Sequence, residues 1–133
     1  MSTVQNVRIR IRSVIDQEEI LIETTGEYRL DGDTHLLAYT DYAGNQITKN
    51  GLFIGPDSML LHRVGAFSGD MLFDPKQDTG MDYQAAAVGN RFRIHTSLYA
   101  VSRTPAGISV KLVYQLNPQE EEISAEQEIE ILF

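Results

Sequence analysis

The chain has 133 residues, no cysteine and a formal net charge of −8 at pH 7. This length suits one domain, spanning residues 1–133, whose core needs neither disulfide nor metal. The absence of cysteine excludes disulfides and thiolate metal sites and favours a reducing cytoplasm, whereas the negative charge argues against nucleic acid as a partner. No stretch approaches the roughly 18 apolar residues that a membrane helix needs, so no membrane partner is expected.

Ten segments with alternating apolar and polar residues follow one another along the chain, separated by turn sequences. In the first segment Val7, Ile9 and Ile11 share one face, because successive side chains of a strand point to opposite sides. The alternation predicts nine further strands at 20–30, 34–42, 46–54, 58–64, 67–73, 80–86, 90–101, 107–116 and 122–133. Gly26 marks a bend in the second strand. No long stretch has helical periodicity.

The two ends of the chain carry opposite charges at every second position. The first segment has Arg8, Arg10 and Arg12, and the last has Glu126, Glu128 and Glu130. The pattern predicts that the first and last strands pair, with the arginines beside Glu130, Glu128 and Glu126 in that order. Such pairing closes the sheet, so the predicted fold class is all-β, a single closed antiparallel up-and-down barrel of about eight to ten strands.

A barrel of this size is either filled by its own side chains or has room for one small ligand. The alternation places Met71, Phe73, Ile94, Leu98 and Leu112 inside. Small residues such as Gly26 and Gly69 fit either an internal space or plain core packing, and plain packing is the simpler interpretation. Tyr39 and Tyr99 are expected on the outer surface.

Arg63 shares its parity with Met59 and Leu61, so it points into the barrel if those two residues do. A buried guanidinium must be paired. An internal carboxylate would make Arg63 structural, whereas an open position would let Arg63 bind the anionic group of a ligand, together with Tyr83 or Tyr28. The opposite register, with His62 and Val64 inward, would remove this site.

Several dispersed stretches resemble DUF1934, a YwiB-like family of small bacterial proteins. They are Arg63-Val64-Gly65, Met71-Leu72-Phe73, Gly80-Met81-Asp82-Tyr83, Thr96 and residues 107–116. The similarity runs from about Val7 to the end of the chain. It implies a calycin-like barrel, related in shape to lipocalins, and a bacterial cytoplasmic setting, with no established reaction. Where the family tends to have Tyr-x-Thr-Pro-x-Gly, residues 83–89 lack the threonine and the proline.

The sequence contains no catalytic or metal-binding motif and indicates no cofactor. His35, His62 and His95 lack paired metal-ligand spacing. Three classes of function remain, in this order: a binder of a small amphipathic ligand, a protein-interaction module with a filled core, and an enzyme. For the binder of a small amphipathic ligand, we expect the ligand's apolar tail to lie against Met71, Phe73, Ile94 and Leu112. Its anionic head should lie near Arg63 and the tyrosines. Assembly stays open, and a homodimer is allowed.

Overall fold

The computed structural model describes residues 3–43, 45–85, 88–117 and 122–133, without the side chains of residues 43, 83–85 and 88–90. These ranges form ten antiparallel strands. The strands are β1 (Gln5–Ile15), β2 (Glu18–Asp31), β3 (Thr34–Ala43), β4 (Gln46–Ile54), β5 (Met59–Gly65), β6 (Phe67–Phe73), β7 (Thr79–Ala85), β8 (Val88–Thr104), β9 (Gly107–Leu116) and β10 (Ile123–Leu132). Within these ranges no helix is long and apolar enough to cross a membrane.

The sheet closes through its first and last strands. Each strand pairs with its neighbour in sequence, and β1 also pairs with β10, which completes a barrel and confirms the predicted fold class. The register of the closing pair differs from the prediction by two residues. Arg10, and not Arg8, lies opposite Glu130, and Arg12 lies opposite Glu128. A shift of two residues leaves every side chain on its own face, so alternation alone does not distinguish the two registers.

The inside of the barrel is filled with apolar side chains from all around the sheet. Fully buried members contribute roughly 1.5–3 kcal/mol each relative to exposure. Those exposed by no more than 1% are Ile54, Met59, Phe73, Ile94, Val110, Leu112, Ile129 and Ile131. The rings of Phe73 and Tyr114 meet with their centroids 4.8 Å apart. Core packing therefore accounts for most of the side chains that face inward.

A bulge in β8 changes which of its side chains face inward. The pairing between β8 and β9 shifts between Thr96 and Leu98, so the residues after the bulge swap faces. The expectation that Leu98 faces inward is therefore wrong, and its side chain is 45% exposed. Tyr99 turns inward instead and packs against the core, where its hydroxyl donates to the Gly55 carbonyl at 2.6 Å.

The strands β2 and β3 pair along only part of their length. Their ladder runs from Asp31 opposite Thr34 to Glu27 opposite Ala38, while β3 continues to pair with β4 up to Ala43. Gly26 lies where the two strands part, and an added Cβ there would meet the Ala38 carbonyl oxygen at 2.5 Å. The glycine thus permits a close backbone approach, after which a cleft opens in the wall.

Candidate functional site at the barrel mouth

Arg63 points into the barrel, as one of the two predicted registers of β5 requires. Met59 is 1% exposed and Leu61 packs against the core, whereas His62 and Val64 lie on the outer surface. The Arg63 side chain is 21% exposed. The guanidinium is therefore mostly withdrawn from water. Its partners decide whether Arg63 has a structural role or can bind an anion.

The strongest contact of Arg63 is with a neutral group. Its Nε donates a hydrogen bond to Oδ1 of Asn50 at 2.9 Å. The carboxylate of Asp41 lies farther off, with 3.9 Å between Oδ2 and an Arg63 nitrogen, and the Phe67 ring centroid is 5.2 Å from the guanidinium carbon. A direct charge-assisted hydrogen bond is about 2.7–2.9 Å long, so the ion pair with Asp41 is loose.

The position of Arg63 follows from the register of four neighbouring strands. Asn50 on β4 lies opposite Tyr39 on β3 and opposite Arg63 on β5, and Arg63 in turn lies opposite Gly69 on β6. These residues form an inward polar row next to the apolar row that contains Leu52. Gly69 adds no side chain to this row.

Two tyrosines share the electrostatic environment of Arg63. Burial raises the pKa of Tyr39 to about 12, and the Arg63 charge opposes this shift while Asp41 adds to it. Burial also raises the pKa of Tyr114, again opposed by Arg63. Both phenols therefore stay protonated at neutral pH and can donate hydrogen bonds. The expectation that Tyr39 lies on the outer surface is wrong, because the parity of β3 turns this residue inward with Leu37.

The cleft between β2 and β3 leads from the outer surface to this polar row. It has a volume of about 790 Å³. Thr24, Tyr39 and Asn50 line it on the inner side, and Tyr42 and Lys49 line it on the outer side. Since Asn50 holds Arg63, the cleft ends beside the guanidinium's hydrogen-bond partner. We call Arg63, Asn50, Asp41, Tyr39 and Tyr114 the mouth cluster.

The residues proposed from sequence for the ligand's tail lie mainly in the packed core. Phe73, Ile94 and Leu112 are at most 1% exposed, and Met71 is partly buried against them. Their role in ligand binding stays a prediction.

Of the two tyrosines proposed from sequence, Tyr28 is not joined to Arg63 in the described contacts. Tyr28 is hydrogen-bonded to Nδ1 of His35 at 2.8 Å, and its ring lies 5.1 Å from that of Phe133. The side chain of Tyr83 lies outside the described residues.

Sequence reasoning missed Asn50 and Tyr39 as neighbours of Arg63. A signal for Asn50 was present, because it alternates with Leu52 and Ile54 and so interrupts the inward apolar set with an amide. A polar residue at an inward position needs a hydrogen-bond partner. Tyr39 gave no such signal, since tyrosine is common on both faces of a sheet.

Two of the three histidines pair with aspartates on the outer surface. His95 Nδ1 lies 2.7 Å from Asp78, and His62 pairs with Asp70. Ser97, which follows His95 closely in sequence, donates instead to the Val113 carbonyl. In the described part of the chain, no three histidine, aspartate or glutamate side chains gather in a metal-binding group.

Together these features define a ten-stranded, closed, up-and-down β-barrel with a filled apolar core. The mouth cluster lies beside the cleft between β2 and β3. The family model described as Domain of unknown function (DUF1934) matches residues 6–131, and the chain belongs to that family. A search of curated proteins found no match.

The barrel is similar to a solved structure, the crystal structure of the ywiB protein from Bacillus subtilis. The TM-score is 0.86 and the sequence identity is 17%, with 97% of this chain and 92% of the other covered. The two proteins share their fold over nearly their whole length.

Proposed function

We propose that the protein binds a small anionic or amphipathic molecule at the mouth of its barrel, with the anionic group against Arg63. The observation that carries this proposal is a mostly buried cation for which the described residues supply no tight counter-charge. Among them the nearest carboxylate oxygen is 3.9 Å away, and the direct hydrogen bond goes to the neutral Asn50. A guanidinium has five N–H donors in a fixed fork that matches carboxylate and phosphate groups.

The neighbours of Arg63 suit an anion as well. Tyr39 and Tyr114 keep their phenolic protons at neutral pH because burial raises the pKa of each. In the described contacts, neither hydroxyl has a hydrogen-bond partner. Two neutral donors beside a cation would hold an anion without adding negative charge, which favours this role over a purely structural one.

The packing of the core limits the size of the ligand. A tail directed at Phe73, Ile94 and Leu112 would have to displace side chains that are at most 1% exposed. Displacing well-packed core residues costs about 1–3 kcal/mol or more. Short acids, whose apolar part can stay within the 790 Å³ cleft, therefore suit the site better than long fatty acids.

The wider setting of this proposal comes from the family resemblance. The resemblance implies that the barrel is calycin-like and that the protein is cytoplasmic, and we include both statements in the proposal. A small ligand that enters through the cleft between β2 and β3 would not need the barrel ends to open.

The test is a binding titration with a short-chain fluorescent carboxylic acid, competed by hexanoate and by inorganic phosphate. Wild type should bind saturably. Arg63→Met should weaken binding by about 10- to 100-fold, because a hydrogen bond to a charged group is worth about 1.5–3 kcal/mol. Arg91→Met is the matched control, since Arg91 is an exposed arginine paired only with Asp82 in the described contacts, and it should leave affinity unchanged.

Stability measurements separate a ligand site from a structural ion pair. Breaking a buried ion pair costs about 3–5 kcal/mol. Arg63→Met should cost much less, since its direct hydrogen bond is to a neutral amide. Absence of saturable binding by wild type, together with a loss near the upper figure in the variant, would make Arg63 a core residue.

A protein-interaction module with a filled core is the second candidate. One observation favours it, a row of apolar side chains on the outer surface of neighbouring strands. Phe53, at the centre of that row, is 42% exposed.

A further inference from the structure

The end of the barrel opposite the mouth cluster carries its own inward polar residues. Along β3 the inward positions run from Asp41, in the mouth cluster, to His35, which is about 20 Å away over six residues. His35 lies opposite Ile54, and Arg103 of β8 lies opposite Ile108. Both isoleucines are buried in the core. Because directly opposed residues share a face of the sheet, His35 and Arg103 also point toward the inside at this end.

A cavity of about 470 Å³ lies at this end of the barrel. It is lined by Gln5, Tyr28, Arg103, Thr104, Pro105 and Phe133, which we call the distal site. None of the six belongs to the mouth cluster. Cavities that hold small ligands have volumes of about 300–1,000 Å³, so the distal site is large enough for a small molecule.

Arg103 has no counter-charge in the described part of the chain, since none of the ion pairs there includes it. Its charge still acts on the inward side chains beside it. Burial raises the pKa of Tyr28, and Arg103 opposes this shift. Burial lowers the pKa of His35, and Arg103 lowers it further. The planar fork of N–H donors on Arg103 is therefore available to an external anion.

The other residues of the distal site supply hydrogen bonds on one side and apolar surface on the other. The Gln5 amide has two N–H donors. The Thr104 hydroxyl accepts from the Ala106 N–H at 3.3 Å, which leaves its own hydrogen free to donate. Phe133 is 39% exposed, and its ring centroid lies 5.1 Å from that of Tyr28. An anionic group joined to a flat apolar body matches such a lining.

From this geometry we infer that the distal site binds a small aromatic carboxylate. Arg103 holds the carboxylate, and the ligand's ring packs against Phe133 and Pro105. Aromatic rings favour centroid separations of about 4.5–7 Å, and the exposed part of the Phe133 ring is free to make such a contact. This inference does not depend on the ligand proposed for the mouth cluster, because the two sites share no residue.

His35 reports on the distal site without lining it. Its Nδ1 lies 2.8 Å from the Tyr28 hydroxyl. The strands around it place Leu30 of β2 and Ile54 of β4 opposite it, and Arg103 acts on it from β8. Tyr28 and Arg103 are thus the titratable groups that the described residues place around His35. Only Arg103 is charged near neutral pH.

A carboxylate bound to Arg103 should raise the pKa of His35, because it offsets the positive charge that lowers this pKa in the free protein. Binding and protonation are reciprocal. The carboxylate should therefore bind more tightly as the pH falls from about 8 to about 5.5, where His35 takes up its proton.

The experiment is an NMR titration of the histidine rings of the full chain with benzoate. Benzoate is added up to about 20 mM, which covers millimolar affinity. The His35 signals should shift saturably, and the pKa of His35 should rise when benzoate is bound. His62 and His95 are internal controls, because they pair with aspartates on the outer surface and should not respond.

Arg103→Met should weaken benzoate binding at least about tenfold, as the loss of a hydrogen bond to a charged group does. It should also raise the pKa of His35 without ligand and abolish the response of that pKa to benzoate. Arg93→Met is the matched control, since Arg93 is an exposed arginine on the same strand. It should behave as wild type does.

A wild type whose His35 signals do not move with benzoate would overturn the inference. Wild-type affinity in Arg103→Met would do the same, and so would inorganic phosphate that binds as tightly as benzoate, since the ring would then contribute nothing. If Arg103→Met reduces folding, as judged by circular dichroism, Arg103→Lys decides the question. It keeps the charge and loses the planar fork, so it should weaken benzoate binding and leave the pKa of His35 in the free protein unchanged.

Discussion

Tyr39 shows how the barrel wall changes the chemistry of a single residue. Burial raises the pKa of its phenol to about 12, while the positive charge of Arg63 opposes this shift and the negative charge of Asp41 adds to it. The charged phenolate is therefore disfavoured in the folded protein. The same protonation keeps Tyr39 a hydrogen-bond donor at the mouth cluster.

This shift predicts a loss of stability at alkaline pH. Because the pKa is higher in the folded protein than the usual 10.0, the contribution of Tyr39 is complete below pH 10 and is lost as the pH rises toward 12. The free energy of unfolding should fall by about 1.5–2 kcal/mol more in wild type than in Tyr39→Phe over this interval. Urea unfolding at pH 9.5 and 11.5 measures the difference.

The control for this experiment is Tyr42→Phe, since the Tyr42 side chain is 70% exposed on the outer surface of the same strand. It should follow the wild-type pH profile. Equal pH profiles for wild type and Tyr39→Phe would show that Tyr39 ionises as easily in the folded chain as in the unfolded one.

At the scale of elements, β1 lies between two strands that both carry glutamates. The sequence predicted pairing of its arginines with β10, and the strand pairing is confirmed. The direct ion pairs, however, reach across to β2. Arg12 Nε donates to Glu19 at 2.9 Å, and Arg10 lies 3.6 Å from Glu23. The glutamates of β10 act on Arg12 only as more distant charges that raise its pKa.

Double-mutant cycles should reflect this preference. Arg12 and Glu19, which share a direct hydrogen bond, should couple more strongly than Arg10 and Glu128, which form no direct contact among the described ion pairs, and the coupling should fade as salt is added. The hydrogen bond with Arg12, and then its charge, lowers the pKa of Glu19. The coupling should therefore be present above the usual glutamate pKa and disappear as the pH falls through the lowered one.

Unfolding measurements on the single and double alanine variants test this order. Stronger coupling for Arg10 and Glu128 than for Arg12 and Glu19 would contradict it. Both pairs lie on the outer surface of β1, so they serve as controls for each other.

The strands were predictable because a sheet with one buried face requires alternating apolar and polar residues, and its strands are separated by turn residues. Leu98 and Tyr99 mark the limit of that signal, since one extra residue in β8 reverses the parity after it and leaves no trace in composition. Arg63 was predictable as an inward residue only once Met59 and Leu61 were known to be buried. Its partner Asn50 depended on the register between β4 and β5, which is set by packing across the whole barrel.

At the scale of the molecule, the barrel wall is not equally continuous all around. The ladder between β1 and β2 runs from Gln5 opposite Tyr28 to Ile15 opposite Glu18. Between β6 and β7 it consists of Phe67 opposite Ala85 and Ser68 opposite Gln84 in the described residues. Toward the other end of this seam the Thr79 hydroxyl donates to the Leu72 carbonyl at 2.5 Å, so a side chain replaces a ladder bond.

The short seam between β6 and β7 should be the first part of the wall to open. Amides that lack a partner across a ladder, or that open with little loss of buried contact, exchange with solvent through low-energy fluctuations. Hydrogen exchange followed by mass spectrometry should therefore show faster exchange in β6 and β7 than in β1, β9 and β10.

Thr79→Val, which removes the hydroxyl without changing the shape of the side chain, should speed exchange around Leu72 and leave peptides of β9 and β10 unchanged. Thr25→Val serves as the matched control, because Thr25 lies on the exposed side of β2 within the long β1–β2 ladder. Uniform protection around the barrel, or an equal effect of the two substitutions on β6, would show that the seam is held by something other than the Thr79 hydroxyl.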